Sequence, residues 1–332
     1  MALKNSIRDM STLGRVLLAK FQRKRFPISV TFIITYRCNF RCDYCNVFNC
    51  EEEEMNTGAI FAMIDELCAM GMRRFGINGG EPLLREDIAE IIDYARDKGL
   101  FVTLFTNGSL VAQRIDRIRN LNVLLMSLDG PKDIHDAQRF SGSFDKVIES
   151  LVAARRAGLN VWTNTVITRH NLDCLDFILD NARRFGIKTT YQPVLYYPHS
   201  SEEREIKDLL PDSLSYRKYI DRLIREKRKG GPILHSLSYL EYIKNPDWRT
   251  NQRLCWAGRL YCAITPSGNV APCYPIFRDR LWPNGVKLGF SNALNKLGSF
   301  SCNGCYCILV ENDFTFSLKP EVVYNTFTQI LA

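Results

Sequence analysis

The sequence predicts an α/β protein in which repeated βα units form a parallel sheet, followed by a small cysteine-rich unit near the carboxyl end. The middle of the chain alternates between short runs of Val, Ile, Phe, Thr and Leu and stretches with apolar residues at helical spacing. All but two of the 12 cysteines fall into two groups outside the helical stretches. The composition, with 46% hydrophobic and 24% charged residues, is typical of a globular protein.

Six runs are short and apolar enough to be buried strands. They are Val30–Thr35, Arg74–Ile77, Phe101–Thr106, Val123–Leu128, Asn160–Thr168 and Ile187–Val194. Six helices are predicted between or after them: Thr57–Met70, Arg85–Lys98, Leu110–Asn120, Phe144–Ala157, Leu172–Phe185 and Leu214–Lys229. Glycine follows most of these helices closely, as expected at a helix C-terminus.

The alternation ends at Gly230, Gly231 and Pro232, after which Cys, Gly and Pro become frequent. Such a composition predicts a small domain that is held by metal rather than by a large core. We therefore divide the chain into a basic amphipathic segment (1–28), a βα core (29–230), a linker (231–249), a cysteine-rich domain (250–312) and a tail helix (313–332).

The formal net charge of +8 is concentrated at the amino terminus. Residues 1–26 hold seven Lys or Arg against one Asp, so the body of the chain carries about +2 and a general nucleic-acid surface is not implied. With no long apolar run and no signal peptide, the sequence predicts a cytoplasmic protein. The basic segment predicts either weak contact with the inner membrane surface, at about 1 kcal/mol per basic residue, or an ordinary helix packed on the core.

In a reducing compartment, clustered cysteines are metal ligands or catalytic thiols before they are disulfides. Cys38, Cys42 and Cys45 follow the first predicted strand within eight residues. Three thiolates on a four-iron cluster leave one iron with open coordination positions, as a catalytic metal site requires. The alternative is a structural zinc site completed by Cys50 or a distant His.

The pattern C-x-x-x-C-x-aromatic-C resembles the radical S-adenosylmethionine (radical SAM) enzymes. The resemblance implies a partial (βα)6 TIM-like barrel and a [4Fe–4S] cluster on Cys38, Cys42 and Cys45, whose free iron binds S-adenosylmethionine. It also implies that Tyr44 lies near the adenine.

Further matches follow successive strands. Gly79, Gly80, Glu81 and Pro82 match the Gly-Gly-Glu-Pro segment of the family, in which glycines allow backbone carbonyls to approach the methionyl ammonium closely. Sites in parallel sheets form at the carboxyl ends of strands, where side chains here are expected to contact the ribose or the cofactor carboxylate. These candidates are Thr106, Asn107, Ser127, Asp129, Arg139 and Asn164.

The second cysteine group resembles the SPASM and twitch extensions of radical SAM enzymes. Cys255 and Cys273 enclose Gly268 at the spacing of that pattern, and Cys302 and Cys305 follow. The resemblance implies one auxiliary [4Fe–4S] cluster held by these four cysteines, with Cys262 the first substitute and Cys307 another. A zinc ribbon is the structural alternative.

The resemblance implies that an electron from a flavodoxin- or ferredoxin-type donor leads to reductive cleavage of S-adenosylmethionine. The resulting 5′-deoxyadenosyl radical abstracts hydrogen from a substrate, and the auxiliary cluster accepts an electron to complete a two-electron oxidation or maturation reaction. No catalytic acid or base is identified.

The expected substrate is a small molecule, a lipid or a peptide. Many peptide-modifying relatives carry a longer amino-terminal recognition domain, which makes a peptide the less favoured of the three. Two alternatives stay open: a radical SAM enzyme that modifies RNA or tRNA, and a non-enzymatic zinc or iron–sulfur binding protein.

Overall fold

The structure, a computed structural model, describes residues 14, 16, 18, 21, 25–194, 207–245, 255–277, 281–298, 307 and 309–316. Its central feature is one eight-stranded sheet with the order β6-β5-β4-β3-β2-β1-β7-β8. The strands are β1 (Ser29–Thr35), β2 (Arg74–Gly79), β3 (Phe101–Thr106), β4 (Val123–Ser127), β5 (Val161–Ile167), β6 (Lys188–Pro193), β7 (Tyr261–Ile264) and β8 (Val270–Ala271).

The first seven strands pair in parallel, and β8 returns antiparallel to β7 as a hairpin. The carboxyl ends of the parallel strands therefore lie along the same edge of the sheet. β6 and β8 are the outer strands and do not pair with each other. The predicted α/β class with a parallel sheet is confirmed, and the six predicted strands are all present.

The described α-helices are α1 (Thr57–Met70), α2 (Ile88–Asp97), α3 (Lys132–Gln138), α4 (Ser143–Arg156), α5 (Leu175–Phe185), α6 (Ser213–Arg228), α7 (Leu237–Ile243), α8 (Gly285–Leu288), α9 (Phe290–Asn295) and α10 (Val310–Phe316). Local chemistry fixes their ends. The Asn56 side chain accepts a hydrogen bond from the Ala59 N–H at the start of α1, and Gly71 in the left-handed conformation ends it. Asp212 begins α6 in the same way.

One predicted helix takes a different form. The stretch expected as Leu110–Asn120 is a 3₁₀-helix over Ala112–Ile118, interrupted by non-helical torsion angles at Arg114. Only Ile118 of this element is buried, so little apolar area stabilises a longer regular helix there.

The described part of the predicted linker 231–249 is packed rather than extended. Ser236 caps α7, whose Tyr239, Leu240 and Ile243 are fully buried. The spacing of these three residues places them on one helical face. The linker prediction rested on the preceding glycines and did not use this spacing. Residues 231–245 are therefore part of the core.

The cysteine-rich region also contributes to the central sheet. β7 pairs with β1 from Ser29↔Tyr261 to Phe32↔Ile264. Its residues are all buried, and Ala263 and Ile264 continue into the β7–β8 hairpin. The first strand after the predicted boundary at residue 250 thus extends the sheet of the βα core.

The described amino-terminal residues are helical, and Val16 is buried in the core, whereas Phe21 is 84% exposed. Arg25 donates hydrogen bonds to the carbonyl oxygens of Gly258 and Gly298, which connects this segment to the cysteine-rich region. Most of residues 1–24 lie outside the described part of the chain, as does the predicted tail helix beyond residue 316. Among the described residues, no helix is long and apolar enough to cross a membrane.

The end of β2 packs against the loop after β1 so closely that a side chain does not fit. A Cβ atom on Gly80 would lie 2.2 Å from the carbonyl oxygen of Arg37. We therefore expect Gly80→Ala to lower the free energy of unfolding by about 1–3 kcal/mol, the usual cost of overpacking. Urea unfolding followed by circular dichroism measures this change.

Gly58 in α1 is the matched control, because its added Cβ would meet only the Asn56 side chain at 3.6 Å. Gly58→Ala should leave stability unchanged or raise it by up to about 1 kcal/mol. Equal stability of the Gly80 variant and the wild type would contradict the close approach of these two backbones.

Candidate functional site: the cysteine loop at the carboxyl edge of the sheet

Cys38, Cys42 and Cys45 lie in the loop that leaves the carboxyl end of β1, as predicted, and all three are partly buried. Their thiols are close enough for the charge of each to affect the pKa of another. Among the described residues, no three His, Cys, Asp or Glu side chains stand at the spacing of a metal site. The loop nevertheless brings three soft ligands together on one side of the sheet.

Burial opposes ionisation of these thiols. It raises the pKa of Cys42 to about 12, while the nearby Arg139 guanidinium acts in the opposite direction. Burial likewise raises the pKa of Cys38, against a hydrogen bond from the Phe40 N–H at 3.4 Å. The Cys38 and Cys42 thiols are thus protonated near pH 7, and metal binding here would release protons. The donor set itself fits an iron–sulfur cluster.

An amide network that the sequence did not indicate surrounds Cys38. The Asn107 Nδ2 donates to Asn39 Oδ1 at 2.8 Å and lies 4.0 Å from Cys38 Sγ. Asn39 Nδ2 in turn donates to Ser109 Oγ at 2.9 Å. Asn39 and Ser109 carry no recognisable pattern; only the fold brings the loop after β1 beside the loop after β3.

Gly79 and Gly80 lie directly against this loop. The Gly80 N–H donates to the Thr35 carbonyl and the Glu81 N–H to the Arg37 carbonyl, both at 2.8 Å. Gly79 has φ +142°, and a Cβ there would lie 2.3 Å from the Thr35 carbonyl oxygen. These glycines thus permit close approach of the protein's own backbone, and their contact with the methionyl ammonium stays a prediction.

The side chains of Glu81 and Thr106 are hydrogen-bonded to each other. Glu81 is fully buried, and its carboxylate accepts hydrogen bonds from the Thr106 hydroxyl and from the Asn107 and Leu83 N–H groups. Burial raises its pKa to about 7. The contact of Thr106 with ribose stays a prediction, and in this structure the Thr106 hydroxyl donates to Glu81. The Glu81 carboxylate needs donors because it has no access to water. Pro82 is buried beside this pair.

Asp129 is the centre of a second buried network. With no solvent exposure, it accepts hydrogen bonds from Arg139 Nε at 2.6 Å, Tyr44 Oη at 2.7 Å and the Val166 N–H at 2.9 Å. Burial alone would raise its pKa, but the charge of Arg139 and these donors hold the pKa below its usual range. Three of its acceptor positions are therefore used within the protein, and its contact with ribose stays a prediction.

The His-Asp pair before Arg139 has a local role. The Asp129 N–H donates to His135 Nδ1 at 3.2 Å, which fixes the neutral form of this buried ring. Asp136 accepts hydrogen bonds from the Phe144 and Gly142 N–H groups at the start of α4. Both residues shape the turn that positions Arg139.

Ser127, Asn164 and Tyr44 remain partly exposed near this edge. Ser127 and Asn164 are register partners on β4 and β5. The Tyr44 ring packs against the buried cluster of Val166, Val194 and Leu209, and its hydroxyl donates to Asp129. Contact of these residues and of Arg139 with a ligand at the carboxyl ends of the strands stays a prediction.

A cavity of about 550 Å³ opens beside Cys38. Its lining includes Tyr36, Arg41, Phe48, Cys50 and the acidic run 51–54. Several polar contacts hold the acidic run in place; among them, Glu54 pairs with Arg85 at 3.1 Å, and Glu52 accepts from the Thr265 hydroxyl at 2.7 Å. The cysteine loop is thereby connected to the turn after β7.

The described cysteines of the second group have different surroundings. Cys255 is exposed, whereas Cys262 lies on β7 in the apolar core, where burial raises its pKa to about 12. Cys273 is buried at the start of a 3₁₀-helix, and Cys307 is buried before α10. Cys302 and Cys305 lie outside the described residues.

A family model described as "Radical SAM superfamily" matches residues 32–180. Mycofactocin maturase MftC of Mycolicibacterium smegmatis is 31% identical over 278 residues, which are 80% of this chain and 69% of that protein. The chain belongs to the radical SAM superfamily. The resemblance drawn from the cysteine motif is thus confirmed, and the non-enzymatic alternative is wrong.

Other similarities extend over most of this radical SAM chain. PqqA peptide cyclase of Granulibacter bethesdensis is 28% identical over 261 residues, covering 75% of this chain and 68% of that protein. Among solved structures, SuiB of Streptococcus suis bound to S-adenosylmethionine has a TM-score of 0.65 at 14% identity, over 84% of this chain and 68% of that one. The structure of anSMEcpe with bound AdoMet has a TM-score of 0.66 at 16% identity, over 92% and 98%. These two structures share the fold.

Membership of this superfamily implies a [4Fe–4S] cluster and S-adenosylmethionine as cofactors. The three thiols of the cysteine loop, with the amide network at Cys38 and the cation of Arg139 near Cys42, are chemically suited to hold such a cluster.

The neutral His135 makes the fold sensitive to acid. Burial, with a smaller contribution from Arg139, lowers its pKa from the ordinary value of 6.5 to about 4. The unfolded chain therefore binds the proton first as pH falls, so stability is complete near neutral pH and decreases below about pH 6.5. Relative to His135→Asn, the wild type should lose about 1 kcal/mol of unfolding free energy between about pH 7 and pH 5.5.

Asn is the matched replacement because its Oδ1 can accept the Asp129 N–H in place of Nδ1 and does not titrate. Urea unfolding of both proteins at the two pH values measures the difference. Parallel loss of stability in both proteins would show that His135 is not the acid-sensitive group.

Proposed function

We propose that this chain is a radical SAM maturase that oxidises a peptide substrate, assisted by one auxiliary [4Fe–4S] cluster. The observation that carries the proposal is the cysteine loop at the carboxyl edge of the sheet, in a chain related over most of its length to MftC. The bound cluster and S-adenosylmethionine supply reductive cleavage to a 5′-deoxyadenosyl radical, for which a flavodoxin- or ferredoxin-type protein is the expected electron donor.

In this proposal Cys38, Cys42 and Cys45 hold the cluster, and the surrounding residues keep their geometry. Asn107 and the Phe40 N–H lie beside Cys38, and Arg139 lies beside Cys42. Hydrogen bonds and cations near ligand sulfurs favour the reduced cluster, because they offset its added negative charge.

S-adenosylmethionine would lie along the same edge of the sheet. We assign direct contacts to the backbone of Gly79 and Gly80, to Tyr44, Ser127 and Asn164, and to Arg139, whose remaining guanidinium nitrogens can pair with a carboxylate. Five candidates from the sequence then support these contacts from behind: Glu81, Pro82, Thr106, Asn107 and Asp129.

A peptide substrate is favoured by what the relatives are named for. PqqA peptide cyclase has a peptide in its name. SuiB has been solved with the precursor peptide SuiA, and anSMEcpe has been solved with the Cp18Cys peptide. We give these names more weight than the length of the amino-terminal segment. That length was the reason to favour a small molecule or lipid over a peptide in the sequence analysis. RNA or tRNA remains the second candidate, which tight and salt-sensitive RNA binding would support.

For the auxiliary cluster we propose Cys255, Cys273, Cys302 and Cys305 as ligands within a domain that spans 250–312. The turn after Cys255 is bonded to the segment before Cys273, because the Gly258 N–H donates to the Pro272 carbonyl at 3.0 Å. Cys262 lies within the paired strand β7, whereas Cys273 lies at the start of a 3₁₀-helix and Cys255 is exposed, so we keep Cys262 as the substitute ligand. The cluster would accept the electron that remains after hydrogen abstraction, completing a two-electron oxidation.

Iron content and S-adenosylmethionine cleavage test the central claim. Anaerobically reconstituted wild type should hold about eight iron atoms per chain and form 5′-deoxyadenosine with dithionite. The Cys38/Cys42/Cys45→Ala variant should hold about four and form none. Cys68→Ala is the control and should match the wild type. Cleavage that survives the triple substitution would refute the assignment of the first cluster.

Paired single substitutions test the ligands of the auxiliary cluster. We expect Cys255→Ala to lower the iron content by up to about four atoms per chain. The absorbance of the lost cluster near 400 nm should disappear with it. Cys262→Ala should retain the iron and lose some stability, as for a buried small hydrophobe. The reverse result would make Cys262 the ligand, and zinc in place of iron would make the domain a zinc ribbon.

The substrate class is tested by co-expressing the chain with a library of short candidate peptides. With the wild type, mass spectrometry should detect a peptide that has lost two or more hydrogen atoms. With the Cys38/Cys42/Cys45→Ala variant, all peptides should keep their original mass. If the peptides stayed unmodified while the protein still cleaved S-adenosylmethionine, a small molecule or a lipid would again be the favoured substrate.

A further inference from the structure

A network of charged side chains joins the loop after β2 to the loop after β1. At its centre lies Arg85, whose side chain is 7% exposed. Its Nε and Nη2 donate to the two oxygens of Asp87 at 2.8 and 2.7 Å, and Nη2 also donates to the Met55 carbonyl at 3.1 Å. Its Nη1 donates to Glu54 Oε2 at 3.1 Å and to the Ile34 carbonyl at 3.4 Å. A guanidinium has five N–H groups, so each donor of Arg85 has its own acceptor.

The Glu54 carboxylate is saturated in the same way. Besides the bond from Arg85, it accepts hydrogen bonds from Arg37, with Nε on Oε1 at 3.0 Å and Nη2 on Oε2 at 3.2 Å. The Thr35 hydroxyl gives its single proton to Oε1. Two hydrogen bonds thus reach each oxygen, which uses the acceptor capacity of a carboxylate. Glu54 is therefore the point at which the end of β1, the loop after β2 and the segment before α1 are joined.

The residue before Cys38 is held at three points. The Arg37 N–H donates to the Thr35 hydroxyl oxygen at 3.0 Å, and the Arg37 carbonyl accepts the Glu81 N–H at 2.8 Å. The Arg37 guanidinium forms its two bonds to Glu54, although the side chain is 61% exposed. The backbone from which Cys38 projects is thus fixed from β1, from the loop after β2 and from Glu54.

Apolar side chains often replace a buried ion network without loss of stability, so the arrangement that such a network imposes is the more specific property to test. We propose that Glu54 is a positioning residue for Cys38, which it holds through Arg37, and that Arg85 fixes Glu54 against the loop after β2. The inference rests on the proposed function, in which Cys38 is a ligand of the first cluster and the glycines at the end of β2 contact S-adenosylmethionine. The same network then keeps the cluster ligand and the cofactor loop in one arrangement.

The test uses the reconstituted full chain and follows the first cluster alone. S-adenosylmethionine binds to an iron with open coordination positions, so the change that it causes in the electron paramagnetic resonance spectrum of the reduced protein identifies that cluster. An iron chelator is then added, and the decay of this S-adenosylmethionine-responsive signal is timed. Because the loss of a group that supports a metal ligand typically costs about tenfold or more, Glu54→Gln should shorten the half-time of the signal about tenfold. Gln keeps the size of the side chain but turns an N–H group toward an arginine donor.

Arg37→Met tests the connection between Glu54 and Cys38. The Arg37 side chain is largely exposed, so this variant keeps the fold, and its half-time should also fall about tenfold. If Glu54 acts through Arg37, the double variant should match Glu54→Gln within about twofold, because coupled substitutions are not additive. Independent effects would multiply instead.

Two variants serve as controls. Glu86 also accepts hydrogen bonds from two arginines, Arg114 at 2.9 Å and Arg117 at 2.5 Å, and its side chain is 70% exposed. Glu86→Gln should therefore keep the wild-type half-time. Ile178→Val removes a buried methyl group from α5, so it should lower the stability of the chain and leave the half-time unchanged.

The outcomes separate the positioning role from the cluster assignment. A wild-type half-time in Glu54→Gln or in Arg37→Met would overturn the positioning role and leave the first cluster in place. Multiplied effects in the double variant would overturn the path through Arg37, and an equal effect of Ile178→Val would reduce the role of Glu54 to stability. If Glu54→Gln does not fold, the exposed Arg37→Met decides alone. Absence of an S-adenosylmethionine-responsive signal in the wild type would refute the first cluster itself, and the inference with it.

Discussion

A carboxylate without solvent exposure holds the candidate site together. Asp129 collects donors from the cysteine loop, from β5 and from the turn before α4, through Tyr44, Val166 and Arg139. A buried ion whose partner is removed costs about 3–5 kcal/mol, so these three segments are constrained to one arrangement. The carboxylate is therefore part of the site's framework, and the cation that it fixes is what a ligand would meet.

Glu81 repeats this arrangement on the other side of the site. It joins the end of β2 to the end of β3 with hydrogen bonds to Thr106 and Asn107. Both acids follow strands, and both lie behind the glycines and amides that remain near the surface of the edge. Acidic residues in loops at the carboxyl edge of a parallel sheet thus need not face the ligand, because the loops themselves require buried acceptors for their N–H groups.

The sequence was sufficient for the strands, most helices and the cysteine loop, since apolar periodicity and ligand spacing are local properties. It was insufficient where the partner of a side chain decides its role. Thr106 and Asp129 have the residue types of a ribose site, yet in this structure their side chains bind Glu81 and Arg139. Asn39 and Ser109 became visible only when the loops after β1 and β3 met. The contrast between Cys255 at the surface and Cys262 in the core likewise depends on the pairing of β7 with β1, which no local pattern encodes.

The pairing of β7 with β1 also determines when the central sheet can be completed during synthesis. β1 carries the cysteine loop, but one of its two neighbours, β7, is made about 230 residues later. During synthesis β1 is an edge strand with open N–H and C=O groups until the last quarter of the chain has emerged. Metal loading of the loop after β1 is therefore expected to be a late event in maturation, since the strand that supports it is unsatisfied until then.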